Sequence, residues 1–208
     1  MNVITIPNGT MQANCYIVES ENAAVIIDPG YLERQISQYI AENPKKIKFI
    51  LLTHRHFDHL NAANSVKKMT GAKIVIHEFD EGGLYSDLLS LGSMAGGFYG
   101  KADPDSHADI YVDEGDTVTA ADMVFKVLYT PGHSEGGVCY LCDNLLFSGD
   151  TLFKGSIGST DFPSSNNAEM RASLDRLCTL PDDITVYPGH GPSTTIGYEK
   201  QTNMFLKR

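Results

Sequence analysis

The sequence predicts an α/β fold, and three observations carry that prediction. Short apolar runs rich in β-branched residues are separated by turn residues, a stretch of the chain alternates strand and helix patterns, and histidines and aspartates stand just past the ends of predicted strands. At 208 residues the chain is long enough for one core of ordinary size, so one domain over residues 1–208 is the expectation.

The elements follow in order. VITI at 3–6, CYIV at 15–18 and AVII at 24–27 read as strands, the last closing on Asp28, Pro29 and Gly30. Residues 31–43 place Leu32, Ile36, Tyr39 and Ile40 at helical spacing before Pro44, and IKFILLT at 47–53 is an apolar run too short for a helix. That strand stops at the first histidine. Residues 60–70 read as a helix closed by Gly71, and KIVIH at 73–77 as the next strand. Residues 78–91 fit a helix, whereas 92–108, with Gly92, Gly96, Gly97, Gly100 and Pro104, has no clean period and reads as a mobile loop or lid.

Strands then return as IYVD at 110–113, MVFKVLYT at 123–130, GVCYLC at 137–142 and LLFSGD at 145–150. Cys139 and Cys142 form a C-x-x-C, but a spacing of three on a strand sends them to opposite faces, so they read as core thiols and not as a redox or zinc pair. Asn166 followed by Glu169 resembles a capping box opening a helix with Met170, Leu174 and Leu177 on its core face. ITVYPGH at 184–190 is the last strand, and 195–207 fits a closing helix. AVIIDPG at 24–30 and LLFSGD at 145–150 both end in an aspartate beside glycine, which suits two similar α/β halves.

Composition narrows the partners. A formal charge of −10 repels phosphate backbones, which argues against nucleic acid. The basic groups at Lys45, Lys46 and Lys48, and at Lys67 and Lys68, read as solvated element ends. The start of the chain carries neither a basic n-region nor a long apolar stretch, and no segment approaches the ~20 apolar residues of a membrane span. A soluble cytoplasmic protein acting on a small molecule, away from membranes, is expected, with its four cysteines as free thiols.

The chemistry concentrates in THRHFDH at 53–59, where three of the seven histidines fall directly after a buried strand. At the overall histidine frequency such a triplet arises by chance roughly once in 10⁴ to 10⁵ start positions. Imidazole and carboxylate suit zinc, iron or manganese, and His54 and His56 can point the same way from a loop leaving a strand. Asp58 and His59 would reach a second point, and a single tetrahedral site cannot use them all. His133, Asp150 and His190 each stand past another strand end, as if several strands converged on one edge of the sheets.

With the IIDPG strand, THRHFDH, TPGHSEGG, FSGDTLF and YPGHG in order, the chain resembles the metallo-β-lactamase superfamily, and within it the glyoxalase II-like hydrolases that lack the extra C-terminal helical domain. The resemblance implies a four-layered αββα sandwich with the site along one edge. It implies two divalent metal ions, zinc first and iron or manganese otherwise. His54, His56 and His133 would hold one, Asp58, His59 and His190 the other, and Asp150 would bridge them. Asp28 matches a family aspartate that orients ligands, with a plain turn role as its alternative.

The expected chemistry is hydrolysis of a thioester or ester by a hydroxide shared between two metals ~3.5–4 Å apart. Asp58 would accept a hydrogen bond from that nucleophile as well as bind metal. The glyoxalase II resemblance suggests a hydroxyacylglutathione, yet Ser159 stands where close relatives place a cation, and Lys154 is the nearby replacement candidate for binding substrate. His77 reads as structural, and His107 matches no family ligand. Two alternatives accompany this reading: a mononuclear iron persulfide dioxygenase using His54, His133 and Asp150, and a non-catalytic binding protein stabilised by metal.

Overall fold

The computed structural model describes residues 1–43, 46–95 and 102–207. Six strands, β1 (Asn2–Asn8), β2 (Ala13–Glu19), β3 (Ala24–Ile27), β4 (Ile47–Leu51), β5 (Lys73–Ile76) and β6 (Ile110–Tyr111), form one sheet in sequence order. The first three run antiparallel and β3 to β6 parallel. A second set comprises β7 (Thr117–Ala120), β8 (Met123–Tyr129), β9 (Val138–Cys142) and β10 (Leu145–Gly149), followed by a small hairpin of β11 (Leu152–Phe153) and β12 (Ser156–Ile157). With β13 (Thr185–Pro188) and β14 (Thr194–Thr195), the second sheet has the order β14-β13-β10-β9-β8-β7.

The period of two along each strand sorts side chains into layers. On β2, Tyr16 and Val18 face the core between the sheets, where Val127, Tyr140 and Phe147 of the second sheet meet them. Cys15 and Ile17 face the opposite way, toward α1 (Arg34–Glu42), α2 (Phe57–Leu60) and α3 (Ala63–Thr70). The outer face of the second sheet packs Leu128, Leu146 and Val186 against Met170, Leu174 and Leu177 of α4 (Asn167–Leu177) and Ile196 of α5 (Ile196–Thr202). The result is the expected αββα sandwich. Cys139 lies in this outer cluster and Cys142 in the inner one, so the C-x-x-C is split between faces as its spacing requires.

Both sheets contain a parallel strand pair joined across a helix, β3-α1-β4 and β10-α4-β13, and an aspartate leaves each first strand. The echo between AVIIDPG and LLFSGD is therefore a repeated topology. Asn166 caps α4 by accepting from the backbone N–H groups of Ala168 and Glu169.

Several elements differ from expectation. α1 starts at Arg34, leaving Leu32 outside it and 39% exposed. The helix expected over 60–70 starts earlier and breaks in two, because Ala62 gives its N–H to the carbonyl of Pro29 at 2.9 Å and not to Asp58. The turn at Pro29-Gly30 lies so close that a Cβ on Gly30 would come 1.6 Å from the Asp58 carbonyl. Residues 78–91 hold only a 3-10 turn, Glu78–Leu84, which the His77 ring starts by accepting from the Phe79 N–H. The final helix stops at Thr202, where Asn203 turns extended and donates to the Ser156 carbonyl at 3.1 Å. β7 and the hairpin of β11 and β12 are short elements that carry no apolar run long enough to read as strands.

Of the segment 92–108, Gly92–Ala95 forms a 3-10 turn, while Gly96, Gly97, Gly100 and the rest of 96–101 lie outside the described residues, as do Pro44 and Lys45. No described helix is long and apolar enough to cross a membrane.

Candidate metal centre

The chain leaves β3 at Asp28, whose φ of 51° turns it back over the ends of the parallel strands. Its carboxylate accepts from the Thr53 N–H at 2.8 Å and from the Thr53 hydroxyl at 2.6 Å, and receives His59 Nδ1 at 3.1 Å. Because the single Thr53 hydroxyl proton goes to Asp28, the Thr53 oxygen accepts from His54 Nδ1, 3.0 Å away. Asp28 thus fixes two histidines, one directly and one through Thr53, with their Nε2 atoms directed away from it.

The histidines and carboxylates past β4, β8, β10 and β13 come together. His54, His56 and His133 bring ligand atoms within 4.8 Å of one another, and Asp58, His59 and His190 do the same. Asp150 stands between the groups, one oxygen 3.4 Å from His59 Nε2 and the other 3.4 Å from His133 Nε2. All seven side chains that the sequence singles out therefore share one site. Asp28, His54 and His59 make a third close set, but its members are already joined to one another and to Thr53 by hydrogen bonds.

The test of whether these residues fit metal ions lies in their unpaired atoms. Nε2 of His54, His56 and His133 and Oδ1 of Asp150 are buried without a hydrogen-bond partner. A buried polar atom left so costs about 1–3 kcal/mol, and four of them aimed into one cluster call for a cation. Nε2 of His59 and of His190 lie only 3.3 Å apart, with the Asp58 carboxylate 3.4 Å from His190. The donor set of imidazole and carboxylate fits a dinuclear site of divalent ions.

Electrostatics divide the cluster. Burial, and then the neighbouring histidines, hold His54 and His56 well below the ordinary imidazole range, in the neutral form that binds metal. Burial also disfavours the charged form of His59, but Asp150, Asp58 and Asp28 outweigh it and raise that ring to about 10. Asp58 is held below the usual carboxylate range: burial opposes its ionisation, and His59 and His190 more than offset it.

Residues that the sequence reading missed hold the loops in register. Asp80, fully buried, accepts from the Arg55 N–H at 3.0 Å, the Ser134 hydroxyl at 2.6 Å and the Gly136 N–H at 2.9 Å, and sits 3.4 Å from Arg55 Nε. It staples the loop of His54 and His56 to the loop of His133. Asn14 donates from Nδ2 to the carbonyls of Pro188 and Gly191, on either side of His190. The one sequence signal for Asp80 is its place shortly after a strand, as with Asp28 and Asp150. Gly189 packs so tightly that a Cβ there would fall 2.0 Å from Asp150 Oδ1.

A cleft of about 550 Å³ opens over the cluster, lined by His56, Asp58, His133, Asp150 and His190 and by apolar residues. Ser159 and Lys154 do not line it. The Ser159 carbonyl accepts from His133 Nδ1 at 2.8 Å, while Lys154 Nζ lies 5.6 Å from the centre of the Tyr198 ring. Ser159 thereby orients the His133 ring through its backbone. His77 stacks on Tyr129 at 4.7 Å, and His107 is exposed beside Glu81; neither joins the site.

Comparison with known proteins gives a consistent picture. The sequence profile of the metallo-beta-lactamase superfamily matches residues 8–190. The chain is 36% identical over 205 residues to the probable metallo-hydrolase YqgX of Bacillus subtilis, covering 97% of this chain and 95% of the relative. It is 34% identical to the hydroxyacylglutathione hydrolase GloC of Haemophilus influenzae, covering 99% and 98%. Among solved structures, TTHA1623 in a di-iron-bound form superposes with a TM-score of 0.86 at 35% identity, over 98% of this chain and 100% of that one.

Proposed function

The chain belongs to the metallo-beta-lactamase superfamily, and from that premise we propose that it is a hydrolase cutting a thioester or ester with two divalent cations. His54, His56 and His133 would hold one cation, Asp58, His59 and His190 the other, with Asp150 between them. Bound there, the cations would supply Lewis acidity, polarising the substrate carbonyl and bringing the pKa of water toward ~7. Hydrolysis breaks the acyl C–S or C–O bond and puts the oxygen of water on the acyl carbon. One proton of that water passes to the leaving thiol or alcohol.

The chain's own residues prepare this reaction. Asp28 and Thr53 lock the rings of His59 and His54 through their Nδ1 atoms, so that Nε2 faces the cluster. Asp58, kept ionised by its histidine neighbours, is the catalytic carboxylate that accepts a hydrogen bond from the attacking water. The volume of the cleft, about 550 Å³, suits a small-molecule substrate. We place the chain in the cytoplasm as a single catalytic domain, in keeping with four free thiols. Zinc is the first expectation for the metal; the di-iron relative supports iron as the other.

The single observation that carries the reading is the convergence of unpaired Nε2 atoms of His54, His56 and His133 with Asp150 Oδ1 in a buried pocket. Stripping metal with a chelator and adding Zn²⁺, Fe²⁺ or Mn²⁺ back tests it on an ester and thioester panel. Loss and recovery of turnover are expected, and undiminished turnover without metal contradicts the reading.

A second reading is supported by the same unpaired atoms: His54, His133 and Asp150 make a two-histidine, one-carboxylate set of the kind that holds a single iron for oxygen chemistry. Oxygen uptake by the iron-loaded protein supplied with glutathione persulfide, in place of thioester hydrolysis, identifies this persulfide dioxygenase.

A further inference from the structure

Outside the cluster's own ionisable groups, the described wall of the cleft is hydrocarbon and thioether: Met11, Phe57, Leu91, Met94, Ala95 and Phe162. Phe162 stands edge-on to His56 with ring centres 5.2 Å apart and to His133 at 5.6 Å, so it borders the position where the scissile bond must lie. Met11 and Met94 are 51% and 71% exposed, and they flank the mouth. An apolar lining of this kind around a few polar groups suits a ligand that covers it, and unbranched methionines adapt to chains of varied shape.

The nearby described cations are committed elsewhere. Arg55 is buried against Asp80 and Glu135, Lys154 lies over Tyr198, and Arg171 donates to the Phe205 carbonyl and pairs with Asp175. Among the described residues no lysine or arginine lines the cleft. A substrate carboxylate remote from the reacting bond would give up water for hydrocarbon and find no cationic partner among the described lining residues.

The geometry points to a substrate whose groups flanking the scissile bond are uncharged and apolar: a medium-chain acyl thioester or ester of a small neutral thiol or alcohol, with Phe162 setting the acyl preference. This inference rests on the hydrolase reading and narrows it away from dicarboxylate thiols such as glutathione.

Two measurements test it separately from that reading. On the metal-loaded protein, kcat/KM for S-acyl-N-acetylcysteamine thioesters should rise about tenfold or more from acetyl to hexanoyl. It should also exceed that of the matching S-acylglutathiones. Phe162→Ala should flatten the chain-length dependence at unchanged metal content, and Met94→Lys should shift the preference toward the glutathione thioesters.

Calorimetric titration with S-hexyl-N-acetylcysteamine and S-hexylglutathione, thioethers that cannot be hydrolysed, reads the same order without turnover. Tighter binding of the uncharged thioether supports the inference even if no substrate is cut, an outcome that would count against the hydrolase reading alone. Tighter binding of S-hexylglutathione overturns the inference, and so does hydrolysis that favours glutathione thioesters.

Discussion

Asp28 lies 3.1 Å from Nδ1 of His59, and since a carboxylate only accepts, the ring carries its proton on that side. The opposite nitrogen is thereby turned to Asp58, Asp150 and His190. Asp28→Asn removes the charge and disturbs the contacts to Thr53. A loss of about 10–100-fold in metal affinity is expected, read by competition with a chromophoric chelator. Unchanged affinity would reduce Asp28 to a turn residue.

Asp80 has no contact with the cleft, yet it ties the Arg55 backbone and side chain to Ser134 and Gly136. Asp80→Ala leaves the buried Arg55 with the exposed Glu135 carboxylate and the Phe79 carbonyl but without its buried counter-charge, and a loss of about 3–5 kcal/mol in stability is expected from chemical denaturation. Metal affinity should fall with it, because the His54 and His133 loops lose their common anchor.

Gly189 permits the close approach of β13's end to Asp150. In Gly189→Ala the new methyl must push the Asp150 carboxylate from its place between the two groups. Elemental analysis of the purified variant should give about half the metal of the parent or less, with the far-ultraviolet circular dichroism retained.

The four cysteines give a test of the core assignment. Burial pushes the Cys139 and Cys142 thiols up to about 11 and holds Cys15 well above the ordinary thiol range, whereas Cys178 is half-buried. Reaction with Ellman's reagent at neutral pH should be fast for no more than one thiol in the native protein and complete for all after denaturation. Rapid paired oxidation of Cys139 and Cys142 would contradict their place on opposite faces of β9.

Much of this was legible in the residues because period and chemistry agreed. Tyr16 and Val18 alternate with Cys15 and Ile17, so β2 and its burial on both faces follow from pattern, and histidines past apolar strands announce their convergence. What escaped the sequence depends on contacts between distant segments. The break between α2 and α3 arises from the Pro29 carbonyl, and nothing near Ala62 in sequence reveals it. Asp80 looks like any acidic loop residue until Ser134 and Gly136 arrive from elsewhere in the chain. Ser159 acts through its carbonyl, a group that every residue possesses, so its identity carried no signal of that role.

Anomalous diffraction from metal-loaded crystals tests the central claim most directly. Two peaks are predicted, one about 2.0–2.2 Å from the ring nitrogens of His54, His56 and His133, the other at that distance from Asp58, His59 and His190, with Asp150 touching both. A metal-loaded, hydrolytically active crystal with no anomalous peak among these side chains would contradict it.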